Sequence, residues 1–182
     1  MPIGPFERPC ASKRRRENVT QDARRVKDTM VRLKDLSPEY AAHLLSLPIS
    51  DYGPTPWAEA PELNQARVAI ISTAGLHRES DAKFAGGATD YRLIPGDLDY
   101  SDLTMSHVSV NFDRSGYQQD PNVIFPLQLL RQLEADGEIG SVARWHYSFM
   151  GATDPTRMNE TAPQVARLLK EDGVTAAILI PV

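Results

Sequence analysis

Residues 67–77 decide the fold class, and they read Arg67-Val68-Ala69-Ile70-Ile71-Ser72-Thr73-Ala74-Gly75-Leu76-His77. The run 68–71 is apolar, mostly β-branched and followed by small residues, which is typical of a strand buried on both faces. Weaker strands are predicted at 91–94, 142–150 and 175–182, and helices at 122–137 and 161–172. This alternation with short links predicts an α/β fold with a three-layer parallel sheet, flavodoxin-like or Rossmann-like.

The residues before this core differ from it in charge and composition. Up to Lys34 the net charge is +6 and after it −10, which leaves −4 for the 182-residue chain. A helix is predicted from Thr20 on, and another after Ser37-Pro38-Glu39, because Ser and Pro favour helix starts. Four prolines between 48 and 61 then indicate an extended connector. We therefore predict a basic helical arm and Pro-rich connector, 1–66, and an α/β core, 67–182.

Composition excludes several classes of protein. With 41% hydrophobic and 24% charged residues the chain is not wholly disordered, and it contains no apolar run of the roughly 18 residues that a membrane span needs. The single cysteine, Cys10, excludes an intrachain disulfide framework and a cysteine-rich metal site.

The basic run 13–16 lacks interleaved aromatic residues and precedes an acidic core, which favours a protein partner over nucleic acid. No dinucleotide or P-loop glycine motif occurs. We expect a cytoplasmic location without membrane contact.

Histidines near the ends of predicted strands are the candidates for chemistry, because ligands of open parallel sheets bind beyond the carboxyl ends of the strands. His77 follows the first strand, where an imidazole can act as a general base or orient a substrate; a histidine in a surface turn fits the position equally. His107 precedes Asp113 by six residues, and the pair can orient an imidazole or supply two metal ligands. Since no third ligand follows by spacing, we predict no metal site. His146 alternates with aromatic residues along a strand and is interpreted as structural.

Other segments, taken in order with 67–77, resemble one known family. They are Tyr91-Arg92-Leu93-Ile94-Pro95-Gly96-Asp97, Asp102-Leu103-Thr104-Met105-Ser106-His107, Asn122-Val123-Ile124-Phe125-Pro126-Leu127, Gly137-Glu138-Ile139-Gly140-Ser141-Val142, His146-Tyr147-Ser148-Phe149-Met150-Gly151, Glu160-Thr161-Ala162-Pro163 and Ala177-Ile178-Leu179-Ile180-Pro181-Val182. The core is similar to selenoprotein B of the glycine, sarcosine, betaine and D-proline reductases over about residues 57–182. The arm before Pro54 is not part of this resemblance.

The resemblance implies reductive cleavage of a carbon–nitrogen bond in a small amino-acid-type substrate by selenolate or thiolate attack. It implies a catalytic selenocysteine or cysteine directly after Val182, no cofactor in this chain, a pyruvoyl group on a partner subunit, and a thiol or selenol carrier protein as a second partner. His77 and His107 are then the candidates for protonating the leaving amine or holding the selenolate. Arg92 is the candidate for pairing with a substrate carboxylate, with Asp113 as a second substrate-binding residue.

The resemblance also leads to an expectation about the end of the chain. Selenocysteine is encoded by a codon otherwise read as stop, so we expect the reading frame to continue beyond Val182 and the 182-residue chain alone to be inactive. Two alternatives stay open: a non-catalytic binding or scaffold paralogue, and a different α/β enzyme that uses His77 on a small carboxylate.

Overall fold

The computed structural model describes residues 32–46, 51, 53–54, 57–109 and 112–182. The chain divides into two compact units, residues 1–52 and residues 53–182. The helix predicted from Thr20 lies mostly outside the described residues, as does the basic run 13–16. The division after residue 66 that the sequence suggested stays a prediction.

One helix, α1 (Pro38–Ser46), forms the described part of the first unit, after a 3-10 turn at Leu33–Asp35. Pro38 opens the helix, as the sequence predicts, since its missing N–H would be unsatisfied there in any case. The Ser37 hydroxyl accepts a hydrogen bond from the main-chain N–H of Tyr40 at 3.3 Å. Local chemistry alone therefore accounts for where this helix begins.

The second unit is built on a five-stranded sheet and a two-stranded ribbon. Its strands are β1 (Arg67–Ser72), β2 (Leu76–Arg78), β3 (Arg92–Pro95), β4 (Leu103–Met105), β5 (Ser141–Val142), β6 (Trp145–Ser148) and β7 (Ala176–Ile180). β1 pairs in parallel with β5 and β6 along one edge and with β7 along the other. β6 also pairs with β3, which runs antiparallel to it. The β2–β4 ribbon is antiparallel.

The α/β class predicted from the sequence is confirmed, but the prediction of an all-parallel sheet is wrong at β3. Neighbouring parallel strands need a crossover, usually a helix, to return the chain to the starting edge. Residues 79–91 form no helix, so the chain enters β3 in the reverse direction. The flavodoxin-like or Rossmann-like strand order is accordingly not confirmed. The β2–β4 ribbon was not predicted, because three-residue strands carry almost no periodicity.

The other helices are α2 (Ser115–Gln119), α3 (Leu127–Ala135) and α4 (Ala162–Glu171). The helix predicted at 122–137 is interrupted: a 3-10 turn at Pro121–Val123 precedes α3. Pro126 explains the break, because proline disfavours helical geometry in the residue before it. The helix predicted at 161–172 is present as α4. None of the helices in the described part of the chain is long and apolar enough to cross a membrane.

Two apolar clusters cover the two faces of the sheet. Val68, Ile70 and Ile94 pack with Leu127 and Leu130 of α3 in the larger cluster. Tyr147 and Phe149 pack with Val165 of α4 in the smaller cluster. The partly buried side chains of Ile71, Leu168 and Leu169 pack against it. Helices thus lie on both faces of the sheet. β7 occupies a sheet edge, and its Leu179 side chain remains 69% exposed.

Candidate functional site

The ends of three parallel strands meet at Thr73. Its main-chain N–H donates to the carbonyl of Ile180 at 3.0 Å, and its carbonyl accepts from the N–H of Gly151 at 2.8 Å. Its hydroxyl oxygen accepts from the N–H of Val182 at 2.8 Å. One residue after β1 therefore holds the segments that follow β6 and β7. The sequence places Thr73 at a strand end, but nothing there signals this role.

Gly151 is the residue that lets these segments come so close. A Cβ atom at this position would lie 2.7 Å from the carbonyl oxygen of Thr73 and closer still to that of Val182. Both neighbours are main-chain atoms, which cannot rotate away as a flexible side chain would. Glycine is therefore required here for the approach of two backbones.

A cavity of about 440 Å³ opens beside this junction. Its wall is mainly apolar, and its polar side chains are one imidazole and one hydroxyl. The lining residues are His107, Ser109, Phe112, Val123, Ile124, Gly151, Ala152, Ile180, Pro181 and Val182. The volume suits a small molecule of a few heavy atoms. The cavity lies at the carboxyl ends of β1, β6 and β7, where ligands of such sheets bind.

His107 presents a buried imidazole to the cavity. The residue is only 6% exposed, and its Nδ1 accepts a hydrogen bond from the N–H of Ser109 at 3.2 Å. The proton of the neutral ring is therefore assigned to Nε2, which is buried without a hydrogen-bond partner. Burial lowers the pKa of His107, and the charge of Arg114 lowers it further, while the Val182 carbonyl acts in the opposite direction. The ring is thus a neutral N–H donor near the end of β7.

Arg114 holds the segment that carries His107. Its Nη2 donates to the carbonyls of His107 at 2.6 Å and of Ser109 at 3.3 Å. Its guanidinium carbon lies 5.7 Å from the centre of the Phe112 ring, which in turn packs edge-on at 5.0 Å from the His107 ring. We call His107, Phe112 and Arg114 the cavity cluster. The sequence analysis did not single out Arg114, because it lies in a stretch without periodicity.

His77 lies in β2, where it pairs with Thr104 of β4. It is not among the residues that line the cavity, whereas His107, two residues after the end of β4, is one of them. The Nδ1 of His77 donates to the carbonyl of Arg78 at 2.7 Å, which leaves a buried Nε2 without a partner. The ring packs against Phe84 at 6.4 Å. The structure therefore does not bring the two candidate histidines into one site.

Arg92 belongs with His77 rather than with the cavity. Its guanidinium lies 4.3 Å above the centre of the Phe84 ring and pairs with the Asp90 carboxylate at 2.7 Å. Its Nε donates to the carbonyl of Ala82 at 2.8 Å. We call His77, Phe84 and Arg92 the loop cluster, because these contacts hold the loop between β2 and β3. The substrate-binding role predicted for Arg92 stays a prediction, with the side chain already engaged.

Asp113 is exposed and does not contact the His107 ring. Its carboxylate accepts hydrogen bonds from the N–H and the hydroxyl of Ser115, at 2.9 and 2.6 Å, and these bonds lower its pKa. The predicted pairing with His107 is therefore not observed. The substrate-binding role of Asp113 stays a prediction. Within the described ranges no group of three or more His, Cys, Asp or Glu side chains is placed to hold a metal ion.

The third buried histidine, His146, lies inside the sheet. Its Nδ1 accepts a hydrogen bond from the N–H of Ile70 at 2.9 Å, and its ring packs edge-on against Phe125. Burial lowers its pKa to about 4, so the ring is neutral at physiological pH. It does not line the cavity beside Thr73.

A second cavity, of about 720 Å³, lies where β3 ends and β6 begins. Asp97, Arg131, Arg144 and Trp145 are among its lining residues. Arg131 donates to the carbonyls of Gly96 and Leu98, and the Arg144 guanidinium lies 5.6 Å from the centre of a Trp145 ring. Because it adjoins the amino end of β6, this cavity is not at the carboxyl ends of the parallel strands.

Comparison with known proteins supports the resemblance noted from the sequence. The family model described as glycine/sarcosine/betaine reductase selenoprotein B matches residues 7–181. The match includes most of the arm, so our restriction of the resemblance to residues after about 57 was too narrow. No solved structure matches the chain significantly.

Curated relatives agree with the family match. D-proline reductase subunit gamma of Acetoanaerobium sticklandii is 36% identical over 121 residues, which is 65% of this chain and 49% of the relative. Betaine reductase complex component B subunit beta of Peptoclostridium acidaminophilum is 30% identical over 171 residues, 90% of this chain and 38% of the relative. The sarcosine reductase counterpart from the same organism is 30% identical over 138 residues, 73% of this chain and 31% of the relative. The chain thus spans half or less of the length of these relatives, and it belongs to the glycine/sarcosine/betaine reductase selenoprotein B family.

Proposed function

We propose that this chain forms part of the B component of a reductase that cleaves a carbon–nitrogen bond of glycine, sarcosine, betaine, D-proline or a related amino compound. The observation that carries the proposal is the cavity where β1, β6 and β7 end, with the unpartnered Nε2 of His107 beside Val182. Relatives named as subunits of D-proline, sarcosine and betaine reductases support the reaction class.

The residues at the cavity fit the selenocysteine or cysteine that the resemblance implies directly after Val182. The Thr73 hydroxyl holds the N–H of Val182, so a residue joined to Val182 begins at the edge of the cavity. The Nε2–H of His107 and the charge of Arg114 both favour an anion there. A selenolate or thiolate at that position would be the nucleophile that displaces the amine from carbon. The two electrons for net reduction would come from a dithiol donor, which is oxidised to a disulfide as the product is released.

The residues of this chain have separable roles in the proposed reaction. Thr73 and Gly151 fix the position of Val182, and Phe112 and Ile124 supply apolar surface on one side of the cavity. His107, a neutral donor, gives a hydrogen bond through Nε2 to the anion or to the departing amine. Arg114 keeps the His107 segment in place through its two carbonyl contacts.

The proposed partners are a subunit that carries a pyruvoyl group and a thiol or selenol carrier protein. The pyruvoyl carbonyl engages the amino group of the substrate, which is chemistry that this chain does not supply. Two relatives, the sarcosine and betaine reductase proteins, are named as components of reductase complexes, which supports an assembly of several subunits.

Assay of the complete assembly tests the proposal. The gene with its downstream sequence is expressed with its neighbouring subunits in the native host, and reduction of glycine, sarcosine, betaine and D-proline is measured with a dithiol as electron donor. We expect turnover of at least one substrate by the assembly and none by the 182-residue chain alone. An assembly that reduces none of the four contradicts the proposal and favours a non-catalytic paralogue.

A further inference from the structure

We propose that Arg114 binds the carboxylate of the substrate beside the cavity, next to the lining residues His107, Ser109 and Phe112. This inference rests on the proposed function, because it assigns the substrate class of the same site to a small carboxylate. It names a binding residue that sequence patterns do not reveal, and it moves the carboxylate-binding role away from Arg92.

The first support is the hydrogen-bonding capacity that Arg114 has left. A guanidinium carries five N–H donors in a planar fork. Both contacts of Arg114 to main-chain carbonyls use Nη2. Nη1 and Nε have no hydrogen-bond partner among the described residues. A carboxylate accepts charge-assisted hydrogen bonds from such donors. Nη1 and Nε do not form a parallel fork, because Cδ lies between them, so each would give a single hydrogen bond to a carboxylate oxygen.

The second support is the missing counter-charge. Arg114 is partly buried and forms no ion pair within the described ranges, whereas Arg92 pairs with Asp90. The carboxylate next to it in sequence, Asp113, bonds Ser115 instead. A half-buried cation without an anion attracts one, since partial burial weakens the screening by water.

The third support is position. His107, Ser109 and Phe112, the three residues that Arg114 contacts, all line the cavity. The positive charge of Arg114 also acts on a residue of the cavity wall, because it contributes to lowering the pKa of His107. Arg114 does not itself line the cavity, so a carboxylate bound to it would lie beside the part of the wall that His107, Ser109 and Phe112 form.

A binding experiment on the 182-residue chain tests this without any need for turnover. The chain is titrated with glycine, sarcosine, betaine, D-proline and choline, while the Nε–Hε signals of its arginines are followed by NMR. Choline is the matched control ligand, because it keeps the trimethylammonium group of betaine and lacks the carboxylate. We expect saturable shifts of the Arg114 signal with at least one carboxylate, none with choline, and no shift of the Arg92 signal.

Arg114→Gln is expected to weaken binding about tenfold or more, which is the loss of one charge-assisted interaction. Arg144→Gln is the matched control, since Arg144 also lies over an aromatic ring, at 5.6 Å, but at the second cavity. It is expected to change affinity less than about twofold. If Arg114→Gln does not fold, the NMR map of the unaltered chain decides between Arg114 and Arg92.

Equal binding of betaine and choline, a carboxylate response at Arg92, or the absence of any saturable response overturns the inference. If carboxylate binding depends on Arg114 but the complete assembly reduces none of the four substrates, the inference stands and the proposed function is wrong. If the assembly turns over a substrate but Arg114 has no role in binding, the proposed function stands and the inference is wrong.

Discussion

The cavity cluster and the loop cluster contain the same three residue types, but only the cavity cluster borders the cavity beside Thr73. Each has a buried histidine with an unpartnered Nε2, a phenylalanine ring beside it, and an arginine over that ring. In the loop cluster Arg92 pairs with Asp90 and bonds the loop at Ala82. In the cavity cluster Arg114 has no carboxylate among the described residues, and the side chains of His107 and Phe112 open onto empty space.

The comparison teaches that the surroundings of these residues, and not their types, distinguish a candidate binding site (the cavity cluster) from a structural contact (the loop cluster). Even the two imidazoles differ in the tautomer that their contacts select. The Arg78 carbonyl requires a proton on Nδ1 of His77, whereas the Ser109 N–H requires it on Nε2 of His107. The Nε2 of His77 is thus an acceptor and the Nε2 of His107 is a donor, and both atoms are buried.

The largest expected effect separates the two histidines. In the complete reductase, His107→Gln is expected to lower kcat/KM about a hundredfold, because a positioned donor in the reaction is displaced. His77→Gln, the matched variant in the loop cluster, is expected to lower it much less and to reduce stability instead. Steady-state kinetics and chemical denaturation of both variants measure this. A larger kinetic loss in His77→Gln would restore the catalytic role predicted for His77 and contradict our assignment.

Sequence reasoning recovered most of the fold because the signals involved are local. The apolar run of β1, the capping residues of α1 and the periodicity of α4 each lie within a dozen residues. The antiparallel direction of β3 depends on the path of a loop, and the β2–β4 ribbon pairs residues that lie more than 20 positions apart. Such pairings are fixed by tertiary contacts, which the strand propensity of short segments does not report.

The second prediction concerns the junction of Thr73, Gly151 and Val182, which lies beside the cavity that only the cavity cluster borders. Gly151→Ala is expected to destabilise the second unit by about 1–3 kcal/mol, because the added Cβ collides with the carbonyls of Thr73 and Val182. Gly86→Ala is the matched control, since a Cβ there meets nothing within 4 Å. Denaturant unfolding of both variants measures the difference. Equal stability of the two would show that the backbones at the junction are not closely packed.

The third prediction uses the arginines as structural elements. Arg92→Gln removes the ion pair with Asp90 and the contact with the Ala82 carbonyl, and we expect a loss of about 1 kcal/mol. Arg114→Gln is expected to lower stability less, because it breaks two hydrogen bonds to main-chain carbonyls but no ion pair. Urea unfolding at one pH gives both values. A reversed order would indicate that Arg114 is mainly structural.

The smallest effect is electrostatic. Arg114 lowers the pKa of His107, so Arg114→Gln is expected to raise it while burial keeps it below the ordinary value. A histidine whose folded pKa is lowered contributes stability that is present above its unfolded pKa of about 6.5 and lost as pH falls through the folded pKa. The protonation of His107 should therefore cost the Arg114→Gln variant less stability between neutral and acidic pH than it costs the unaltered protein. NMR titration of the His107 ring measures the shift; an unchanged or lowered pKa contradicts it.

The candidate site was only partly predictable from the sequence. His107 could be found, because it is a histidine in a polar stretch of a predicted sheet protein. Thr73 could not, since its role depends on a hydrogen bond to Val182, 109 positions away. Arg114 was missed for a related reason: only three-dimensional placement shows that no carboxylate of the described residues forms an ion pair with it. Arg92 looked equally suitable in the sequence.

Filling each cavity in turn tests most directly whether the reaction takes place at the carboxyl ends of β1, β6 and β7. Ala152→Trp places an indole in the cavity beside Thr73, and Asp97→Trp places one in the second cavity. Turnover by the complete reductase is measured for both variants, after unfolding curves show that both are folded. Our account predicts that Ala152→Trp abolishes turnover while Asp97→Trp retains it. Full turnover in Ala152→Trp, or its loss only in Asp97→Trp, would contradict the account.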